Sequence, residues 1–100
     1  MNELIRETLT NLNGKIQLDF HSDSGHGWLS VPYCLLTDYG VDGDISKYSY
    51  RKGQTVYLEE DCDANKLLSK LRESGIEFEL NEIITDRKSF IRNYQSYYQG

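Results

Sequence analysis

His21, Asp23 and His26 stand in one short stretch, interleaved with Ser22 and Ser24 and bracketed by Gly25 and Gly27. Imidazole and carboxylate are divalent-metal ligands, and Cys34, Cys62 or an acid from Glu59-Glu60-Asp61 is available as a fourth donor. A metal-dependent enzyme centred on His21, Asp23 and His26 is one reading. The spacing fixes no coordination geometry, however, and the same residues suit a loop of side-chain-to-backbone turns. Ser22 or Ser24 beside His26, or Cys34 or Cys62 beside either histidine, has the residue types of nucleophilic catalysis. The chain lacks both a nucleophile elbow and a Gly-rich oxyanion turn. The expectation is therefore no catalytic residue, no metal and no cofactor.

Two further runs carry recognition chemistry. Glu59-Glu60-Asp61-Cys62-Asp63 places four acids in five positions, where a strand ends and a helix begins. Asp61 or Asp63 is suited to cap that helix, and the other acids meet its positive end or a basic partner. The spacing is not that of a calcium loop. The second run is Lys47 to Tyr57, where Lys47, Arg51 and Lys52 interleave with Tyr48, Tyr50 and Tyr57. Such a pattern packs a core with wet phenol tips, makes a protein interface, or stacks bases and tracks phosphates. The tail repeats the theme with Arg87, Lys88, Arg92, Tyr94, Tyr97 and Tyr98.

These residues need elements to hold them. Ile5, Leu9 and Leu12, with Leu4 beside them, predict an N-terminal helix over residues 1–13, ended by Asn13-Gly14. Ile16, Leu18 and Phe20 alternate with polar residues, and Trp28 to Val31 follows, so two antiparallel strands flank the histidine loop. Pro32 opens a short helix with Leu35, Leu36 and Tyr39, stopped by Gly40. Ile45–Tyr50 and Thr55–Glu59 read as a hairpin turning at Arg51-Lys52-Gly53-Gln54, with Tyr48 and Tyr50 on one face. Ala64, Leu67, Leu68 and Leu71 make an amphipathic helix closed by Gly75. Ile76, Phe78 and Leu80 alternate inward along a last strand, and a short helix over Arg87–Tyr94 packs back through Phe90 and Ile91. The fold class is α+β: an antiparallel or mixed sheet of about five short strands, helices mainly on one face, and one parallel pair allowed through the Leu-rich helix.

One hundred residues suffice for a single domain with one core. Sixteen acids against eleven bases give −5, which argues against non-specific nucleic-acid binding but is too modest for a DNA mimic. No apolar run is long enough to span a membrane, and the start lacks a signal-peptide core, so a cytoplasmic protein is expected. Cys34 and Cys62 form no framework and are expected to be reduced and partly buried.

Trp28 through the hairpin loosely resembles the swapped-hairpin antitoxin and transition-state DNA-binding regulators in its order of elements. Basic residues after the proline are absent, Tyr33-Cys34-Leu35 standing there, and the chain beyond Asp61 has no place in that fold. A broader resemblance runs through His26-Gly27-Trp28-Leu29-Ser30-Val31-Pro32, Tyr48-Ser49-Tyr50 and Tyr57-Leu58-Glu59-Glu60-Asp61-Cys62-Asp63, across about residues 16 to 92. These motifs resemble a set of small phage, plasmid and mobile-element proteins without a characterised activity. The resemblance implies an accessory gene, many of which modulate host functions.

The reading drawn is a small non-enzymatic binding protein acting by protein–protein contact, as an inhibitor of a host defence system of anti-CRISPR or anti-restriction type. Its expected surface joins His21, Asp23, His26 and Trp28 to the hairpin residues Tyr48, Tyr50, Arg51, Lys52 and Tyr57 and to Glu59, Glu60 and Asp61. The alternative partner is nucleic acid or a nucleotide, through the basic Tyr hairpin. No membrane partner is expected, and monomer and homodimer are left open.

Overall fold

The alternation of Ile16, Leu18 and Phe20 with polar residues becomes β1, Ile16–Ser22, and Gly27–Pro32 becomes β2. They pair antiparallel with Asp19 opposite Ser30 and His21 opposite Trp28. The computed structural model describes residues 3–85 and 89–98. Its other elements are α1 (Glu3–Leu9), α2 (Tyr33–Asp38), β3 (Tyr50–Lys52), β4 (Thr55–Glu59), α3 (Asn65–Glu73), β5 (Phe78–Ile84) and β6 (Gln95–Ser96). The fold class is α+β. One mixed sheet runs β5-β1-β2-β4-β3-β6, six strands rather than about five, with β5 parallel to β1 and every other pair antiparallel.

Alternation sends Ile16, Leu18, Leu29, Val31, Val56 and Leu58 to one face of the sheet. Leu67, Leu68 and Leu71 of α3 and Leu35 and Leu36 of α2 join them in the main core. Each such leucine contributes about 2 kcal/mol by leaving water. Two Schellman motifs end these helices. Past α3, Gly75 takes φ 73° and Ile76 N–H returns to Leu71 C=O at 2.9 Å. Past α2, Gly40 and Val41 repeat the arrangement onto Thr37 and Leu36. In both, the residue after the glycine is apolar and turns back to the core.

Trp28 alternates out of phase with Leu29 and Val31, yet it is only 2% exposed and lies outside the main cluster, as does the fully buried Ile91. The segment 89–94 accounts for this. Its Arg92 guanidinium lies 5.2 Å from the Trp28 ring, and Tyr94 lies 5.1 Å from Tyr57. The sheet thus has a main core on one face and a small aromatic cover on the other.

Several expectations change. α1 stops at Leu9, and Leu4 and Leu12 are exposed, so the apolar stripe is Ile5 and Leu9 alone. Past Leu9 the chain turns back on itself, Thr10 bridging Ile16. Residues 1–2 of that helix lie outside the described residues, as do Arg87 and Lys88 of the C-terminal one. What is described there is one 3-10 turn, Phe90–Asn93, with Ile91 packed in and Phe90 exposed. Ile45–Ser49 is not strand: a 3-10 turn at Asp42–Asp44 and a loop precede Tyr50, so Tyr48 does not share a strand face with it. The hairpin instead turns at Gly53-Gln54, where Gly53 at φ 60° supplies the positive φ of a tight two-residue turn. Leu80 is exposed rather than inward, because β5 is an edge strand. Both cysteines are exposed.

Gly27 is fixed by contact. A Cβ there would stand 2.5 Å from Phe20 Cζ and 3.1 Å from Glu60 Oε2. Gly27→Ala is expected to lower stability by about 1–3 kcal/mol in urea denaturation. Adding Phe20→Leu to that variant should recover part of the loss; an unchanged midpoint for Gly27→Ala alone would contradict the contact.

Candidate functional site

A concavity of about 350 Å³ opens at the end of the sheet where β2 and β4 meet the start of α3. His26, Trp28, Tyr48, Tyr50, Glu59 and Asp61 line it, all six anticipated from sequence. Lys47, Cys62 and Arg92 complete it; the sequence reading named them in their separate runs but not on the expected surface. Trp28 and Tyr50 meet edge-on with centroids 6.3 Å apart, and His26 stands 6.0 Å from Trp28. Trp28 forms the floor rather than a protruding anchor, and its buried indole N–H has no acceptor among the described residues. Tyr48, 57% exposed with Lys47 Nζ 5.6 Å from its ring, stands on the rim.

The wall carrying Lys47 and Tyr48 is pinned by Asp63, whose side chain is fully buried. Its carboxylate accepts from Ser46 N–H at 3.0 Å, the Ser46 hydroxyl at 2.7 Å, Lys66 Nζ at 2.9 Å and the Ser49 hydroxyl. Ser49 Oγ in turn accepts from Glu59 N–H at 2.9 Å, so one cluster joins the loop, the end of β4 and the approach to α3. Burial pushes the Asp63 pKa up, but the hydrogen bonds from Ser49, Ser46 and Lys66 outweigh it and hold it below the usual value. Asp63 is therefore not the expected helix cap. Nor is Asp61: Glu59, 7% exposed, receives Cys62 N–H at 2.9 Å and opens a π-type turn, Glu60–Ala64, that leads into α3.

The opposite wall is pinned by Asp23, whose side chain is 1% exposed. Oδ1 accepts from the N–H groups of Gly25 and His26, each at 2.9 Å, closing the expected Asx-type turn. Arg92 grips both oxygens, Nε on Oδ2 and Nη2 on Oδ1 at 2.9 Å each, and Ser89 N–H adds a fifth bond at 2.9 Å. Led by the Arg92 guanidinium, these donors hold Asp23 well below the carboxylate range.

This arrangement leaves Asp23 no lone pair for a metal. Among the described residues no group of three His, Cys, Asp or Glu is placed to hold one. His21 stands apart from the concavity, on β1, edge-on to Tyr57 at 5.9 Å. The Cys62 thiol is pushed up by its hydrogen bond to Glu59, by burial, and by the charges of Glu59, Asp63 and Asp61, which keeps it protonated and weakly nucleophilic.

Arg51 and Lys52 lie elsewhere, at the hairpin tip, where with Gly53, Asn93, Tyr94 and Gln95 they line a second concavity of about 450 Å³. Both cations are engaged there. The Arg51 guanidinium sits 4.0 Å from the Tyr33 ring and its Nε donates to Gly53 C=O, while Lys52 Nζ lies 5.1 Å from the Tyr94 ring. Tyr57 is half-buried between His21 and Tyr94, and burial raises its pKa. Glu60 is exposed beside Gly27.

Arg92 and Asp63 escaped the sequence reading for different reasons. The Asp23–Arg92 pair spans most of the chain and has no local signature. Asp63 was visible as an acid at a helix start, where capping was the simpler role.

Two pH-linked outcomes follow from the pins. Asp23 and Asp63 both titrate below their unfolded values, near 3.9. The stability they add is complete above that value and is lost as pH falls through it toward the native value. Asp23→Asn should lower the urea midpoint at pH 7 and flatten its fall between pH 5 and pH 3; an unaltered pH slope would contradict the role. Asp63→Ala leaves buried donors unpaired and should lower stability on the order of 3 kcal/mol at pH 7, measured the same way. Compared with family models, curated proteins and solved structures, the chain matches none.

Proposed function

We propose that the protein is a small non-enzymatic binding protein that acts by protein–protein contact through the Trp28-floored concavity. The observation that carries this reading is the state of its charges. Of the cations near it, Arg92 is held by Asp23 and Lys66 by Asp63, and Lys47 on the rim lies over the Tyr48 ring. Asp61 on the wall and Glu60 beside it are exposed and carry no ion pair among the described residues. Tyr48 and Tyr50 share the lining of the concavity with Asp61. Rings beside a carboxylate recognise an ammonium or guanidinium group by combined cation–π and ionic attraction. The partner is thus a protein presenting a lysine or arginine in an exposed segment. The resemblance to phage and plasmid accessory proteins supports placing that partner in a host defence system, of anti-CRISPR or anti-restriction type, which the protein inhibits by occupying a basic surface. No helix among the described residues is long and apolar enough to cross a membrane, in keeping with a partner met in solution.

A second reading, a nucleic-acid or nucleotide-binding module, is favoured by the hairpin-tip concavity, which gathers Arg51, Lys52 and Tyr94 with no acid in its lining. Salt-dependent binding of labelled single-stranded DNA or RNA, lost in Arg51→Ala/Lys52→Ala, is its signature.

The two readings separate experimentally. Immobilised protein is incubated with host lysate, and each captured protein is purified and titrated directly. Tyr48→Ala and Asp61→Arg should each weaken binding at least about tenfold, with Lys70→Ala, on the outer face of α3, as the unaffected control. A folded protein that captures nothing, or a partner indifferent to both changes, would contradict the protein-binding reading.

A further inference from the structure

The two edges of the sheet differ. One ends in β6, a two-residue strand. The other ends in β5, seven residues long, and among the described residues no strand pairs with its outer side. Natural edges are blunted by brevity, by proline, by charged side chains and lysine above all, or by a bulge, and the charges of β5 are only Glu79, paired with Lys15, and Glu82. β5 is long and has no proline, lysine or bulge: its sequence is Phe78-Glu79-Leu80-Asn81-Glu82-Ile83-Ile84, and its ladder with β1 runs unbroken from Ile16–Phe78 to Ser22–Ile84. Leu80 and Ile83 are exposed along it, and Ile84 is 73% exposed.

The ladder also settles which backbone groups face outward. Ile16 N–H donates to Glu77 C=O at 3.0 Å, and Thr85 N–H donates to Ser22 C=O at 2.9 Å. In a parallel pair, alternate residues turn both backbone groups to the same neighbour. The odd-numbered residues of β5 therefore bond β1. Phe78, Leu80, Glu82 and Ile84 direct N–H and C=O away from the sheet.

We propose that β5 pairs antiparallel with β5 of a second copy of this chain, in the register centred on Asn81, joining the two sheets into one across a two-fold axis. Three features select this partner and register. The four outward residues are symmetric about Asn81, so Phe78 meets Ile84 and Leu80 meets Glu82 of the other copy, and every outward N–H and C=O is satisfied. Centring on Leu80 leaves Ile84 without a strand partner, and centring on Glu82 sets that carboxylate against its own copy, which is unfavourable. Finally, the Arg72 guanidinium lies 5.3 Å from the Phe78 ring. In the Asn81 register, Glu82 of the second copy is the diagonal neighbour of Phe78 on that face, within reach of this cation. The pairing occurs twice by symmetry. The interface also covers Ile84, the most exposed of the strand's large apolar side chains, with Phe78.

Sedimentation equilibrium of the full chain is expected to give the mass of two chains at about 100 μM, and a monomer at that concentration would overturn the proposal. Ile84→Lys, at an exposed site, should keep the circular dichroism spectrum and weaken association about tenfold or more; undiminished association would overturn the edge as the interface. Register is tested in a Cys34→Ser/Cys62→Ser background. Asn81 faces itself in a non-hydrogen-bonded pair, where Cα atoms approach to about 4.5 Å, within disulfide range. Asn81→Cys should therefore oxidise to a covalent dimer, whereas Glu82→Cys, which faces Leu80, should not. Cross-linking of Glu82→Cys in preference to Asn81→Cys would overturn the register.

Discussion

The buried carboxylate of Asp63 is the interaction on which the shape of the concavity depends. A charge with no exposure is tolerated only when its lone pairs are satisfied, and here two serines and a lysine supply the donors. The donors come from distant places in the chain. Ser46 and Ser49 belong to the loop before β3, and Lys66 to the first turn of α3. Satisfying one carboxylate thus forces the loop to close over the helix start. Lys47 and Tyr48, lying between the two serines, have no choice but to stand at the mouth of the concavity. Lys66 Nζ also donates to Asp44 C=O at 2.7 Å, so the preceding turn is drawn in as well.

Asp23 performs the matching task on the opposite wall by a different route. Its turn with Gly25 and His26 organises the loop between β1 and β2 locally, and its remaining acceptor capacity draws in Arg92 and Ser89 from the C-terminal segment. The guanidinium lies over the Trp28 ring at 5.2 Å, which helps to keep a tryptophan on the second sheet face buried without an α-helix above it. Neither aspartate faces the concavity. Each spends its charge on backbone and cation donors behind the surface, so that the side chains in front are held on rigid supports.

What the sequence shows and what it hides divide along the range of the interactions. The β1–β2 pair, the Gly75 stop of α3, the Leu67-Leu68-Leu71 face and the Val56-Leu58 alternation are consequences of local periodicity and turn chemistry, and all were readable. The six concavity residues were readable by type, because they fall in three short runs: His26 and Trp28, Tyr48 and Tyr50, and Glu59 and Asp61. Their convergence was not, since β2 and β4 become neighbours only through the sheet order. The false strand at Ile45–Ser49 has a clear cause. Ile45 and Tyr48 look pleated by type, but Ser46 and Ser49 bond to Asp63 and take that stretch out of the sheet. Likewise the predicted tail helix yields to a single 3-10 turn in which Ser89 accepts from Ile91 N–H, and Arg92 is claimed by Asp23. In both places a long-range carboxylate outweighed a local preference.

The net charge of −5 also takes on a more specific meaning. By count, the surface around the concavity looks nearly balanced, with Lys47 and Arg92 against Glu59, Glu60 and Asp61. Availability, not count, determines what a partner meets. Arg92 is neutralised by a bidentate carboxylate and lies on a ring. Glu59 is turned inward to the N–H of Cys62, with its other oxygen 3.7 Å from His26 Nδ1. Subtracting the occupied groups leaves Lys47 on the rim, already over Tyr48, against Glu60 and Asp61 in the open. The hairpin tip repeats the pattern, its two cations resting on Tyr33 and Tyr94. Around the concavity and at the hairpin tip, the basic side chains rest on rings or carboxylates, whereas Glu60 and Asp61 are left to solvent. The proposed cationic partner rests on this difference in availability, which composition alone does not show.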